Sequence, residues 1–146
     1  MKIKIMTLML LLAAFALSTV AHHAFAMFDL TKETAYKGTV EQYHWENPHS
    51  NLILRVEPGA KDPTTVGTWF IEGQSIAIMS RQGWTRSTLK PGDKVIAIAH
   101  PMKNGAKGAS LFFIVEPDGS RLYGDIARPN EDQEKIIKET ISSLKD

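Results

Sequence analysis

The sequence has no cysteine, which removes disulfides, thiolate metal ligands and a lipid-modified cysteine from consideration. It also has no excess of either charge, because its formal net charge is +1. Without an excess of basic residues the protein has no positive surface potential to attract nucleic acid, so no such partner is expected. After residue 21 there is no long apolar run, and no stable membrane anchor is predicted there. Any metal site would use histidine, carboxylate, methionine or backbone nitrogen.

The N-terminus has the pattern of a signal peptide. Lys2 and Lys4 precede an apolar run over residues 6–17, and small residues lead to Ala21. We therefore expect residues 1–21 to be removed and the protein to be periplasmic or secreted. A second cleavage site after Ala26 competes with the first, and its use would also remove the histidine pair that follows Ala21.

The order of the remaining elements predicts a mostly β fold. Turn residues separate strands predicted over residues 34–45, 51–57, 64–72, 94–99, 109–116 and 121–123, with a short helix over 76–82. A helix between the third and fourth strands is typical of a five-stranded oligonucleotide/oligosaccharide-binding (OB) barrel. An immunoglobulin-like sandwich is the alternative, although it needs no internal helix. We assign residues 22–127 to an OB-like barrel domain and 128–146 to a C-terminal helix.

The predicted C-terminal helix is amphipathic. Asn130 and Gln133 have the spacing of a capping box, and Ile137, Ile141 and Leu144 follow at helical spacing. The sequence leaves two uses for this narrow apolar stripe. It packs on the barrel, or it contacts a periplasmic partner protein.

Five histidines are the candidate metal ligands: His22, His23, His44, His49 and His100. Cleavage after Ala21 would give His22 a free amine that chelates an ion together with its own ring. His44 and His49 flank a kinked segment, and His100 ends a later strand, so we expect them near one rim of the barrel. Nitrogen ligands of this kind suit copper(II), and zinc is the alternative. The alternative interpretation is that each histidine is a solvated residue or part of a turn and binds no metal.

Aromatic side chains form a second candidate site. Tyr43, Trp45 and Trp69 lie on predicted strands and would suit a small molecule, a glycan or a protein partner if they share a face. Tryptophan is also a common core residue, so packing is the competing interpretation. No nucleophile elbow or phosphate-binding glycine loop is present, and the sequence therefore favours a binding protein over an enzyme.

Several short motifs together resemble a family of small exported bacterial proteins of unknown function. They are His22-His23-x-Phe25, Lys37-Gly38-Thr39-Val40, Trp45-x-Asn47-Pro48-His49, Trp69-x-Ile71-Glu72-Gly73, Gly83-Trp84-Thr85 and Leu89-Lys90-Pro91-Gly92-Asp93. The resemblance covers roughly residues 22–123 and excludes the final helix. It implies that the double histidine directly follows the leader, and that His22, His23 and His49 act together. It implies no activity.

Overall fold

The computed structural model describes residues 25–58, 62–116 and 119–145. Within these ranges the chain forms six strands and two α-helices. The strands are β1 (Thr34–His44), β2 (Asn51–Val56), β3 (Gly67–Glu72), β4 (Lys94–Pro101), β5 (Gly108–Val115) and β6 (Arg121–Tyr123). The helices are α1 (Ile76–Arg81) and α2 (Glu131–Lys145), and single 3-10 turns lie at Phe25–Met27 and Pro63–Thr65.

Five of these strands close into a barrel. Antiparallel pairing joins them in the order β3-β2-β1-β4-β5, and a short parallel pairing of β3 with β5 completes the ring. Helix α1 lies between β3 and β4 in the chain, as an OB barrel requires. The predicted OB-like barrel is therefore confirmed, and the sandwich alternative is not formed. The short strand β6 adds to β5 outside the ring.

Strand β1 bends so that it can serve two neighbours. Its first half pairs with β4 and its second half with β2, and Thr39 takes part in both pairings. Gly38 lies at this bend, where a Cβ atom would approach the Arg55 carbonyl oxygen to 2.5 Å. A register shift between Val40 and Gln42 adds further local twist. Any larger residue at position 38 would push β1 away from β2.

Several strand boundaries differ from the predicted ones by one to three residues, and three of these differences have clear local reasons. Strand β3 begins at Gly67 rather than Thr64, because Asp62 caps the 3-10 turn by accepting a 2.9 Å hydrogen bond from the Thr64 N–H. Strand β4 continues to Pro101, since the β4–β5 pairing extends to that residue. Strand β1 ends at His44, so Trp45 lies in the following loop.

The two ends of the barrel are covered differently. At the end of the barrel where β3 finishes, the interior cluster includes Met79 of α1 together with Trp84 and Leu89 from the segment that follows α1. These buried side chains close that end. The opposite end is formed by the start of β1, the start of β3 and the end of β4. We call this second end the open end.

Helix α2 packs on the outer face of the barrel. Ile137 and Ile141 join a cluster with Ile98 and Phe112, and Ile137 is only 2 % exposed. The predicted capping box is present, since Asn130 and Gln133 exchange two hydrogen bonds of 2.9 Å. Of the two uses left open for the stripe, the structure therefore shows packing on the barrel. Neither described helix is long and apolar enough to cross a membrane.

Replacing Ile137 with asparagine should destabilise the fold by about 3 kcal/mol, because the change removes buried apolar volume and buries an amide. The matched control is Ile136→Asn, at the neighbouring residue, which is 60 % exposed. We expect the control to stay within about 0.5 kcal/mol of wild type. Urea unfolding of both variants measures the difference, and equal stabilities would contradict the packing of α2.

Candidate functional site

One row of outward-facing residues crosses four strand pairings. His44 pairs with Asn51, Asn51 with Glu72, Glu72 with Ser110, and Ser110 with His100. Their neighbours along the strands, among them Leu52, Ile71 and Leu111, belong to the barrel interior. Because side chains alternate across a strand, the members of the row face outward. We call these five residues the polar row.

His49 joins the middle of the polar row through Glu72. Its Nδ1 atom donates a hydrogen bond to the Glu72 carboxylate, and both side chains are half-buried. The loop that carries His49 is held at both ends. The Asn47 amide oxygen accepts from the Ile76 N–H at 3.2 Å, and Ser50 exchanges backbone hydrogen bonds with residues 73 and 74. His49 is therefore presented in one orientation, with Nε2 turned away from its carboxylate partner.

His100 is held in a comparable way at the end of the polar row. Its Nδ1 atom donates a 3.0 Å hydrogen bond to the Lys32 carbonyl oxygen, and its ring lies 5.4 Å from that of Phe112. A carbonyl oxygen only accepts, so the neutral ring carries its proton on Nδ1. The ring lines an outer cavity of about 290 Å³ together with Ser110 and Asp125.

His44 differs from the other two described histidines. Its Nε2 atom is engaged by the Gln42 side chain at 2.9 Å, and the residue is exposed at the end of β1. The nitrogen that projects furthest from the strand is therefore already used. This makes His44 a suitable control position for tests of the other histidines.

The structure places the three described histidines on one surface but apart from each other. His44 and His100 stand at the two ends of the polar row, with three other residues of the row between them. Glu72, which holds His49, is two steps from His100. Within residues 25–58, 62–116 and 119–145, no three histidine or carboxylate side chains form a metal-binding group. His22 and His23 lie outside the described residues, and metal ligation by the histidines stays a prediction.

The three predicted aromatic residues do not form one exposed face. Tyr43 packs between Trp45 and Trp84, with ring centroids about 6 Å away, at the closed end. Trp69 instead lies in the barrel interior, where its indole N–H donates a 2.6 Å hydrogen bond to the Thr65 carbonyl. Alternation along β3 turns Trp69 inward, and that orientation separates it from Trp45.

A cavity of about 340 Å³ lies at the open end, where no sequence motif predicts one. Tyr36 and Trp69 line it, and their rings are 4.4 Å apart. The Tyr36 side chain is fully buried, and its hydroxyl has no hydrogen-bond partner among the described residues. Burial raises the pKa of Tyr36 to about 12, and the charge of Asp62 adds to the rise while the Thr34 side chain opposes it.

The rim of this cavity carries two carboxylates and two ammonium groups, from Asp29, Asp62, Lys32 and Lys103. The two aspartates of this rim share a short sequence motif. The pattern Asp-x-Thr occurs at Asp29 and again at Asp62, and in both places the aspartate accepts from the threonine two residues later. Short motifs of this kind also occur in ordinary turns, so the pattern becomes informative only when the fold brings the two copies to one cavity.

The fold and these sites define a small OB-like barrel protein with histidines on its outer face and a polar cavity at one end. The chain belongs to a family of unknown function, DUF6152, whose model matches residues 10–111. Comparison with curated proteins and with solved structures gave no match.

Replacing Tyr36 with phenylalanine should leave the protein at least as stable as wild type, because the change removes a buried hydroxyl that lacks a partner. The control is Tyr43→Phe, which removes a hydroxyl that donates to the Thr85 carbonyl at 3.1 Å. The control should lose about 1 kcal/mol. Urea unfolding at neutral pH compares the two, and a larger loss for Tyr36→Phe would contradict the unpartnered hydroxyl.

Alkaline pH should destabilise the wild type through Tyr36. The pKa of this group is about 12 in the fold against an ordinary value of 10.0, so the unfolded chain ionises first. The contribution of Tyr36 to the free energy of unfolding is fully present below pH 10. It falls by up to about 3 kcal/mol as the pH rises towards 12. The free energy of unfolding, measured across this pH range, should decline less steeply in Tyr36→Phe than in the wild type. Parallel curves would argue against the burial of the phenol.

Proposed function

We propose that this is an exported protein that binds one copper ion, or alternatively zinc, through histidine nitrogens. One observation carries the proposal. His49 and His100 each use Nδ1 to bond an oxygen acceptor, and Nε2 of both rings has no hydrogen-bond partner among the described residues. A metal-binding histidine in proteins commonly donates its second ring N–H to a carboxylate or carbonyl in this way.

His49 is the stronger of the two candidates. Its Nδ1 atom is held by a carboxylate, from Glu72, which is the partner that commonly orients a metal-binding histidine. The half-buried position of the ring leaves a route for an ion to reach Nε2. His100 has a neutral partner and lies against Phe112, so it serves as the second candidate.

We propose His49 as the ligand from the described residues and His100 as its alternative, because no three histidine or carboxylate side chains in the described part of the chain lie close enough together to hold an ion by themselves. The remaining ligands are proposed to be the amine and rings of His22 and His23, after cleavage following Ala21. A set rich in nitrogen and lacking thiolate favours copper(II), which binds such sites more tightly than zinc does.

Two methionines at the open end could supply soft sulfur ligands. Phe28 forms a β-bridge with Met102, and the Lys103 N–H donates to the Met27 carbonyl at 2.9 Å. The thioethers of Met27 and Met102 therefore belong to adjacent segments at the open end. Thioethers suit copper(I), which supports a role in carrying or buffering copper rather than a purely structural zinc site.

The test is the metal content and intact mass of protein recovered from the compartment to which it is exported. We expect a terminus at His22 and close to one copper per chain. His49→Ala should lose most of this copper, while His44→Ala, whose ring is engaged by Gln42, should retain it. Loss of copper in His100→Ala alone would make His100 the described ligand instead.

Two results would overturn the proposal. One is a mature terminus at Met27, because cleavage there discards both N-terminal histidines. The other is a protein that begins at His22 yet takes up neither added copper nor added zinc. Folded state must be checked in parallel by circular dichroism, so that loss of metal is separated from loss of structure.

A further inference from the structure

We propose that the cavity at the open end of the barrel binds a small zwitterionic molecule of the size of a free amino acid. This site contains none of the histidines proposed as metal ligands, so it can be tested separately from them; it shares only Met102 with the methionine pair named above. The proposal rests on an unpartnered hydroxyl, on fixed carboxylates, and on the balance of charges around the rim.

The Tyr36 hydroxyl is the first element of the site. Its side chain is 0 % exposed and lines the cavity, and although the Thr34 side chain is near enough to affect its pKa, no described residue meets hydrogen-bond geometry with its hydroxyl. A buried polar group without a partner is costly, and such groups in folded proteins call for a specific explanation. A ligand atom in the cavity that bonds this hydroxyl would remove the cost.

Two carboxylates at the rim are held in fixed orientations. Asp29 accepts hydrogen bonds from the Thr31 N–H at 3.2 Å and from its hydroxyl at 2.6 Å. Asp62 accepts the same pair from Thr64, at 2.9 and 2.6 Å. These hydrogen bonds engage one oxygen of each carboxylate. The orientations are therefore set before any ligand arrives, which lowers the entropic cost of binding an ammonium group.

Two ammonium groups balance these carboxylates. Hydrogen bonds from Thr31 lower the pKa of Asp29, and the charges of Lys103 and Lys32 lower it further. Lys32 also contributes to the lowered pKa of Asp62, after the hydrogen bonds from Thr64. Lys32 thus lies within electrostatic range of both carboxylates. Lys103 is tethered, because its Nζ atom donates to the Ala26 carbonyl at 3.0 Å.

The balance of charge selects the class of ligand. Two lysines and two aspartates give a rim with no net charge, which offers no advantage to a strongly anionic or cationic molecule. A zwitterion uses both signs at once, with its carboxylate towards the lysines and its ammonium towards the aspartates. The volume of about 340 Å³ is at the small end of ligand sites, and Trp69 and Met102 provide apolar lining for a side chain.

The experiment follows backbone amide shifts of the metal-free mature protein by NMR as alanine, serine, methionine and glutamate are added. Each amino acid is paired with its N-acetyl and its carboxamide derivative, which remove one charge each. We expect saturable shifts at Tyr36, Trp69 and Met102 with the zwitterions. Each derivative should bind at least about tenfold more weakly, which corresponds to about 1.4 kcal/mol.

Matched variants locate the site. Tyr36→Phe and Lys32→Gln should each weaken binding severalfold, while Lys90→Gln, in the turn that precedes β4 at the opposite end, should not change it. Tyr36→Phe is informative because it is expected to fold at least as well as wild type. Unchanged affinity in both Tyr36→Phe and Lys32→Gln would overturn the assignment of the ligand to this cavity.

The outcomes also separate this proposal from the metal site. If no amino acid shifts the cavity residues, the inference is wrong, whatever the copper content of the exported protein. If the derivatives bind as well as the parent amino acids, or a neutral monosaccharide binds in their place, the cavity recognises hydroxyl or amide groups and the zwitterion proposal is wrong. Copper uptake should be the same in Tyr36→Phe as in wild type.

Discussion

The bend of β1 at Gly38 is the constraint on which the rest of the structure depends. One long strand must pair with β4 in its first half and with β2 in its second half. That is possible because the absent side chain lets the Arg55 carbonyl come within 2.5 Å of where a Cβ atom would be. Once β1 serves both neighbours, only a short parallel pairing of β3 with β5 is needed to close the ring.

Closure of the ring explains where the two candidate sites lie. A closed barrel has an interior with two ends, and the segment between β3 and β4 fills one of them with Met79 and Trp84. Among the described residues the other end has no such plug, and a polar cavity lined by Tyr36 lies there. On the outside, the same pairings align His44, Glu72 and His100 along one row. Helix α2 covers an apolar part of that outer surface through Ile137 and Ile141.

Both candidate sites hold polar side chains in fixed positions. The cavity keeps a hydroxyl buried without a partner, and a phenylalanine at that position would pack without this penalty. The loop before β2 holds His49 against Glu72 instead of leaving it solvated. Pre-oriented polar groups that do little for stability are expected where a protein binds something, because binding is stronger when the groups need no rearrangement.

The sequence by itself determined the order of elements, since strand alternation, turn residues and helix caps are local signals. It therefore predicted the barrel, the short helix and the capping box at Asn130. It also singled out His49 and His100, yet it assigned no role to Glu72 and did not identify Tyr36 as a site. Only the tertiary structure decided that Glu72 meets His49, that Trp69 turns inward, and that Asp29 and Asp62 share a rim. Those contacts join residues far apart in the chain, and their geometry depends on strand register and barrel closure, which no local pattern encodes.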